Sequence, residues 1–126
     1  MNLNLNLHQQ ALYLREKRSA ILANNLSNEE TPGYKARDFS FGSTLNSVLN
    51  HKNEQMSLTN VKHLTPLKNA NLDLKYRQPS QPSIDNNTVE SEVESALFTQ
   101  NALAFQTSFT LLNNRFNNLN KALKGE

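Results

Sequence analysis

Eight apolar residues near the C-terminus, Phe98, Ala102, Phe105, Phe109, Leu112, Phe116, Leu119 and Leu123, stand alternately four and three positions apart with no polar residue in the series. That spacing returns every side chain to one stripe of an α-helix and is the repeat of a coiled coil. Leu97, Ala104 and Leu111 occupy the neighbouring heptad position, so the stripe is broad enough to pack against more than one helix. The flanks fit a helix over 88–124. Asn87 or Thr88 can cap its start, Glu90, Glu92 and Glu94 place surface anions in the first turns, and Lys121 and Lys124 place cations in the last. Such a helix spans about 55 Å. With so wide an apolar seam it needs a partner to be stable in water.

A partner is available at the other end of the chain. From about Leu7 to Leu26, the residues Leu7, Ala11, Leu14 and Ile21 follow a 4-3-7 spacing, with Leu12, Leu22 and Leu26 widening the stripe. Arg18 and Asn25 are polar breaks on that seam. Ahead of it Leu3, Leu5 and Leu7 alternate with Asn in a strand-like period, which predicts a loosely ordered end. The helix stops near Ser27, because Thr31-Pro32-Gly33 is turn chemistry: Pro pre-sets the first central dihedral and Gly supplies the positive φ of a type II turn. The chain then leaves in extended form through Tyr34.

Three segments follow from this: an N-terminal helix over 1–27, an irregular or β-containing middle over 28–87, and a C-terminal coiled-coil helix over 88–126. In the middle, Phe41, Leu45, Val48 and Leu49 fit one side of a short helix, whereas Leu72, Leu74 and Tyr76 alternate as in a strand. Pro79 and Pro82 mark an extended linker that ends in a turn. The predicted class is mainly α, two long terminal helices pairing as a coiled coil.

The composition excludes several kinds of chemistry. Cysteine is absent, so no disulfide, Cys-ligated zinc, iron–sulfur cluster or thiol nucleophile is possible. His8, His51 and His63 lie too far apart for a helical metal pair, and the few, dispersed glycines cannot cradle a phosphate. No catalytic motif, cofactor site or metal site emerges, and an enzyme is not indicated. A net charge of +2 with dispersed Lys and Arg gives no nucleic-acid footprint. Lys17, Arg18, Lys35 and Arg37 could form a small basic patch, but read more simply as solvated surface. The longest uncharged window, Leu97 to Asn114, is interrupted by Thr, Gln, Asn and Ser and fails as a membrane span. The N-terminus lacks the basic and apolar regions of a Sec signal, so export would need a route without a cleaved one. Hydrophobic residues at only 37% suit a chain that completes its burial against a partner.

The stretch "LANNLSNEETPGYKARDFSF", Leu22 to Phe41, resembles the signature of bacterial flagellar rod and hook proteins, in which a helix runs through Ala-Asn-Asn into a Thr-x-Gly-Tyr segment. "TNVKHL" (Thr59 to Leu64), "PSIDNNTVESEVE" (Pro82 to Glu94) and the closing helix are similar to the proximal rod branch of that family. One departure is Asn86, where the family usually has Gly; Asn is the non-Gly residue that best tolerates a left-handed backbone.

The resemblance implies a structural subunit of the flagellar basal-body rod, exported by the type III apparatus without a cleaved signal and assembled as a helical tube in the periplasm. Implied partners are itself, other rod proteins, the rod-junction protein FliE and the flagellar export gate. The implied assembly interface comprises Leu7, Ala11, Leu14 and Ile21, with Asn24 and Asn25 bonding across subunits or capping the helix, and the seam from Phe98 to Leu123. Thr31, Pro32, Gly33 and Tyr34 form the turn that redirects the chain outward. The free monomer is expected to have poorly ordered ends that fold on incorporation. The alternative is a soluble coiled-coil adaptor or export chaperone whose terminal helices hold a client helix.

Overall fold

A computed structural model describes residues 2–56 and 72–125. Three helices dominate: α1 (Asn2–Ser27), α2 (Phe41–Met56) and α3 (Ser91–Lys124). Two short strands, β1 (Arg37–Asp38) and β2 (Lys75–Tyr76), pair antiparallel, with Arg37 opposite Tyr76 and Asp38 opposite Lys75. The segment "TNVKHL" lies outside the described residues.

The two long terminal helices pack against each other and run antiparallel, since Asn25 meets Glu94 and Arg15 meets Asn101. α1 is the hub. It touches α3, α2 and β1, whereas among the described elements α3 touches only α1. This explains the width of the apolar stripe on α1: Leu14 and Leu22 are fully buried, Ala11 is buried, and Leu7, Leu12 and Ile21 are half-buried. Ala36, Phe39 and Val48 complete the buried apolar set. Gln10, Asn25, Asn87, Glu94 and Asn101 are buried beside them, nearly as many polar residues as apolar ones. Directional bonds must therefore fix much of this fold, because a core that small is only weakly specific about orientation.

α1 begins at Asn2 rather than near Leu7. The alternation of Leu and Asn does not produce an extended end, because nothing in "NLNLNL" breaks a helix and adding residues to an existing helix is cheap compared with nucleating one. α3 starts at Ser91, three residues later than the capping pattern predicts. The expected caps are occupied elsewhere. Thr88 Oγ1 accepts from Ala36 N at 2.8 Å, Thr88 N donates to Tyr34 O at 3.0 Å, and Glu90 holds the cap position without a side-chain capping bond. At the far end Gly125, at φ 74°, gives α3 a left-handed stop.

The Thr31–Tyr34 turn forms as the sequence predicts. Tyr34 N donates to Thr31 O at 3.2 Å and Gly33 has φ 73°. The turn is tied to the approach to α3, because Gly33 N donates to Asp85 O at 2.8 Å and the Asn87 side-chain amide reaches the carbonyls of Asn28, Glu29 and Thr31 at 3.0, 2.8 and 2.8 Å. Asn86 adopts φ 58°, the left-handed backbone that its position requires. The strand expected over Leu72–Tyr76 shrinks to its last two residues, since β1 offers only two residues to pair with. α2 is longer than its apolar spacing suggests, running on to Met56.

Asn87 is thus the clip between the end of α1 and the start of α3. Asn87→Ala should leave three inward-facing carbonyls without their donor and cost about 2–3 kcal/mol. Asn87→Asp should cost at least as much, because a carboxylate would face those carbonyls. Thermal melting of the helical circular dichroism signal reads both.

Candidate functional site

The two polar breaks on the α1 seam are where the fold is tied together. Arg18 sets its guanidinium against Asp38 with two parallel bonds, Nε to Oδ1 at 3.1 Å and Nη2 to Oδ2 at 3.0 Å. Arg77, just after β2, donates to the same Asp38 Oδ2 at 2.6 Å and through Nη1 to Glu94 Oε1 on α3. Glu94 Oε2 in turn accepts from Asn25 Nδ2 at 3.2 Å. The circuit Arg18–Asp38–Arg77–Glu94–Asn25 therefore leaves α1, crosses both strands, enters α3 and returns to α1.

Asn25 is fully buried and does more than close the circuit. Its Nδ2 donates to Arg37 O at 2.7 Å, and its Oδ1 accepts from Arg37 N at 3.1 Å and from the Tyr34 hydroxyl at 3.1 Å. These bonds mimic a strand neighbour for Arg37 and hold β1 against α1. Asn24 is exposed; its Nδ2 donates to the Tyr34 hydroxyl at 3.2 Å, and its carbonyl accepts from Ser27 Oγ and Asn28 Nδ2 at 2.9 and 2.7 Å.

The electrostatics of the circuit favour ionised groups. Burial acts to raise the Asp38 carboxyl, but the Arg18 hydrogen bond, the Phe39 N–H and the charges of Arg18 and Arg77 outweigh it and hold it below its ordinary value. Glu94 has 0% exposure. A carboxylate there persists because Arg77 and Asn25 satisfy it, and removing either partner would strand a buried polar group. This corrects the reading of Glu94 as a surface anion favoured by the helix dipole. Arg18 and Arg37 likewise form no free basic patch with Lys17 and Lys35: Arg18 is paired with Asp38, Arg37 lies 5.3 Å from the centre of the Tyr76 ring, and Lys35 Nζ donates to Asn86 O.

A second clasp sits a third of the way along α3. Asn101 Nδ2 donates to Arg15 O at 2.8 Å and Arg15 Nη1 reaches Asn101 Oδ1 at 3.4 Å, while the Arg15 guanidinium stacks 3.6 Å from the centre of the Phe41 ring. Glu94 and Asn101 are seven residues apart and hydrogen-bonded across the helix pair, so they set the rotation of α3. The face turned to α1 carries Glu94, Leu97, Phe98, Asn101, Ala104, Ser108 and Leu112, with Phe105 on its exposed edge, not the wholly apolar 4-3 series of the sequence. Phe98, Leu112 and Leu119 are half-buried. Ala102, Phe109, Phe116 and Leu123 are left to the solvent, Phe109 at 50% and Leu123 at 86% exposure, together with Leu111.

Among the described residues no group of three His, Cys, Asp or Glu could hold a metal ion, and no helix is long and apolar enough to cross a membrane. What the surface offers is an unusually apolar helix flank behind an internally braced helix pair.

The sequence profile of the flagella basal body rod protein family matches residues 5–35, which run along α1 through the Thr31–Tyr34 turn. The flagellar basal body rod protein FlgB of Cereibacter sphaeroides is 43% identical over 97% of this chain and 94% of its own length. The chain belongs to the flagellar basal-body rod protein family. FlgB of Aeromonas hydrophila is 39% identical, covering 95% of this chain and 92% of the relative, and FlgB of Salmonella typhimurium is 38% identical, covering 96% and 93%. For a member of the rod family, the geometry separates two duties: a polar circuit that shapes the subunit, and an apolar flank that the other described elements do not cover.

Two measurements test the circuit. Arg77→Ala leaves Glu94 buried without its cation and should destabilise the helix pair by about 3–5 kcal/mol in chemical unfolding. Because the Asp38 carboxyl is held below its ordinary value, its contribution is present at neutral pH and disappears as pH falls through the folded-state value. Stability should therefore drop below about pH 4, and Asp38→Asn should flatten that acid limb while lowering the neutral plateau.

Proposed function

We propose that this chain is a structural subunit of the flagellar rod whose α3 flank is its principal assembly surface. The observation that carries this reading is the line Ala102, Phe109, Phe116 and Leu123, exposed along a helix whose single described partner is α1. An apolar stripe of this length in water is an interaction surface, and helix-to-helix packing is the contact it suits. Supplied by neighbouring subunits in a contact that does not close on itself, that packing builds an open helical assembly, the geometry of a shaft.

On this reading Leu7, Ala11, Leu14 and Ile21 hold α1 to α3 inside each subunit and support the flank from behind. The Thr31–Tyr34 turn carries the chain out of the helical layer. The role is mechanical rather than catalytic. The subunit belongs to the proximal rod in the periplasm, reaches it by the type III route without a cleaved signal, and meets other rod proteins, the junction protein FliE and the export gate. Support for these finer assignments comes from the likeness to FlgB proteins over nearly the whole chain.

Phe109 is exposed, so Phe109→Asp should change the melting temperature of the isolated chain little. Secretion should continue while incorporation into detergent-extracted hook–basal bodies, followed by mass spectrometry, falls to background and swimming is lost. Normal swimming in this variant would overturn the proposal.

A further inference from the structure

The helix pair is unequal and its two ends are unlike. From Arg15 opposite Asn101 and Asn25 opposite Glu94, the antiparallel register brings Asn2, the start of α1, opposite residues 114–117 of α3. The last two turns of α3 therefore extend past the first residue of α1, with Leu119 half-buried among them. They expose Leu123 and carry Lys121 and Lys124, with Phe116 and Arg115 just before. From Phe116 to Gly125 α3 itself carries no carboxylate.

The opposite end is acidic. Glu29, Glu30, Asp85, Glu90 and Glu92 gather where α1 stops and α3 starts; Lys35 among them is bonded to Asn86 O at 2.9 Å, and Arg77, whose charge reaches Glu90, is engaged with Asp38 and Glu94. At its tip stands Ile84, completely exposed at 106%. The turn that carries Ile84 is firmly pinned. Asp85 O accepts from Gly33 N at 2.8 Å, Ser83 Oγ donates to Asn87 O at 2.6 Å, and Asn87 N donates to Asp85 Oδ1 at 3.2 Å. A rigid turn that holds one large aliphatic side chain out into water is a preorganised anchor, with little ordering left to lose on binding.

We propose that the free end of α3, from Phe116 to Leu123, is an end-on docking surface whose occupant is the acidic, aliphatic-tipped turn of an adjoining subunit built on this same helix pair. The inference rests on the rod reading above and adds to it the direction of stacking. The chemistry is complementary on both counts. The aliphatic tip packs on the exposed apolar surface of Phe116 and Leu123, while Lys121 and Lys124 face carboxylates of the kind carried by Glu29, Glu30 and Asp85. Because the two ends differ, such a contact repeats head to tail and gives the stack a polarity. Charge at the rim selects the correct end, since the reversed pairings bring like charges together.

The absence of native cysteine and the exposure of Leu123 allow a clean test in assembled particles. A photo-activated cross-linking amino acid at Leu123 is irradiated in intact hook–basal bodies, and the cross-linked peptide is sequenced. The expected product joins α3 to the turn preceding the last helix of a neighbouring subunit, and its sequence says which subunit that is. Recovery of this chain in the particles with cross-links only to other surfaces, or with none between subunits, overturns the end-on contact and leaves the rod reading standing. Absence of the chain from the particles overturns both. In parallel, the double variant Lys121→Glu, Lys124→Glu should lower the melting temperature only slightly, through the reversed charge at the helix end, and cut incorporation more than about tenfold; unchanged incorporation would also overturn the contact.

Discussion

Glu94 has no access to water, and a carboxylate in that position can exist only where a cation and donors come to it. Arg77 and Asn25 are those groups, and bringing them there dictates much else. Arg77 reaches Glu94 only if the chain after β2 passes along α3, and Asp38 must then stand between Arg77 and Arg18 to balance two guanidinium groups. Asn25 reaches it only if α1 and α3 are antiparallel in the observed register. The two-residue strands look trivial as a sheet. Their importance is that they deliver Asp38 and Arg77 to the same place.

This internal use of polar groups clarifies why so much apolar surface is left outside. Apolar burial alone would turn α3 until its 4-3 series faced α1, because that contact removes the most hydrocarbon from water. Glu94 and Asn101 hold the helix at a different rotation, where unsatisfied donors and acceptors would otherwise cost more than the hydrocarbon contact gains. The subunit consequently keeps Phe98 and Leu112 for itself and presents Phe109, Phe116 and Leu123 to its surroundings. Orientation inside the chain and adhesion outside it are handled by different residues.

Much of this was legible in the residues, and the boundary of legibility is physical. The two long helices, the stop at Ser27, the left-handed Gly33 and the tolerance of Asn86 follow from periodicity and turn chemistry, which act over a few residues. The rotation of α3 did not follow, because a heptad seam identifies a stripe without identifying which neighbour of the stripe meets the partner. Glu94 looked like one more anion in an acidic first turn, and only its position seven residues before Asn101 set it apart. Arg18 and Asn25 were visible as breaks in an apolar seam, and that was the available signal of the circuit. Its other members, Asp38 and Arg77, sit in segments without periodicity, and nothing local links them to a helix dozens of residues away. The late start of α3 follows from tertiary hydrogen bonds that take Thr88 away from the cap, and the early start of α1 from the low cost of extending a helix already formed.

The spacing of the circuit along the chain also governs the order in which the molecule can become structured. Arg18 and Asp38 are near neighbours in sequence, Arg77 is far from both, and Glu94 comes later still. Local pieces of helix can flicker in any fragment, but the closing contacts are of high contact order and cannot form until the last quarter of the polypeptide is free to move. A chain emerging N-terminus first from a ribosome or any other narrow passage therefore remains a loose, threadable polymer for most of its transit. It becomes a shaped subunit only as its final helix is released.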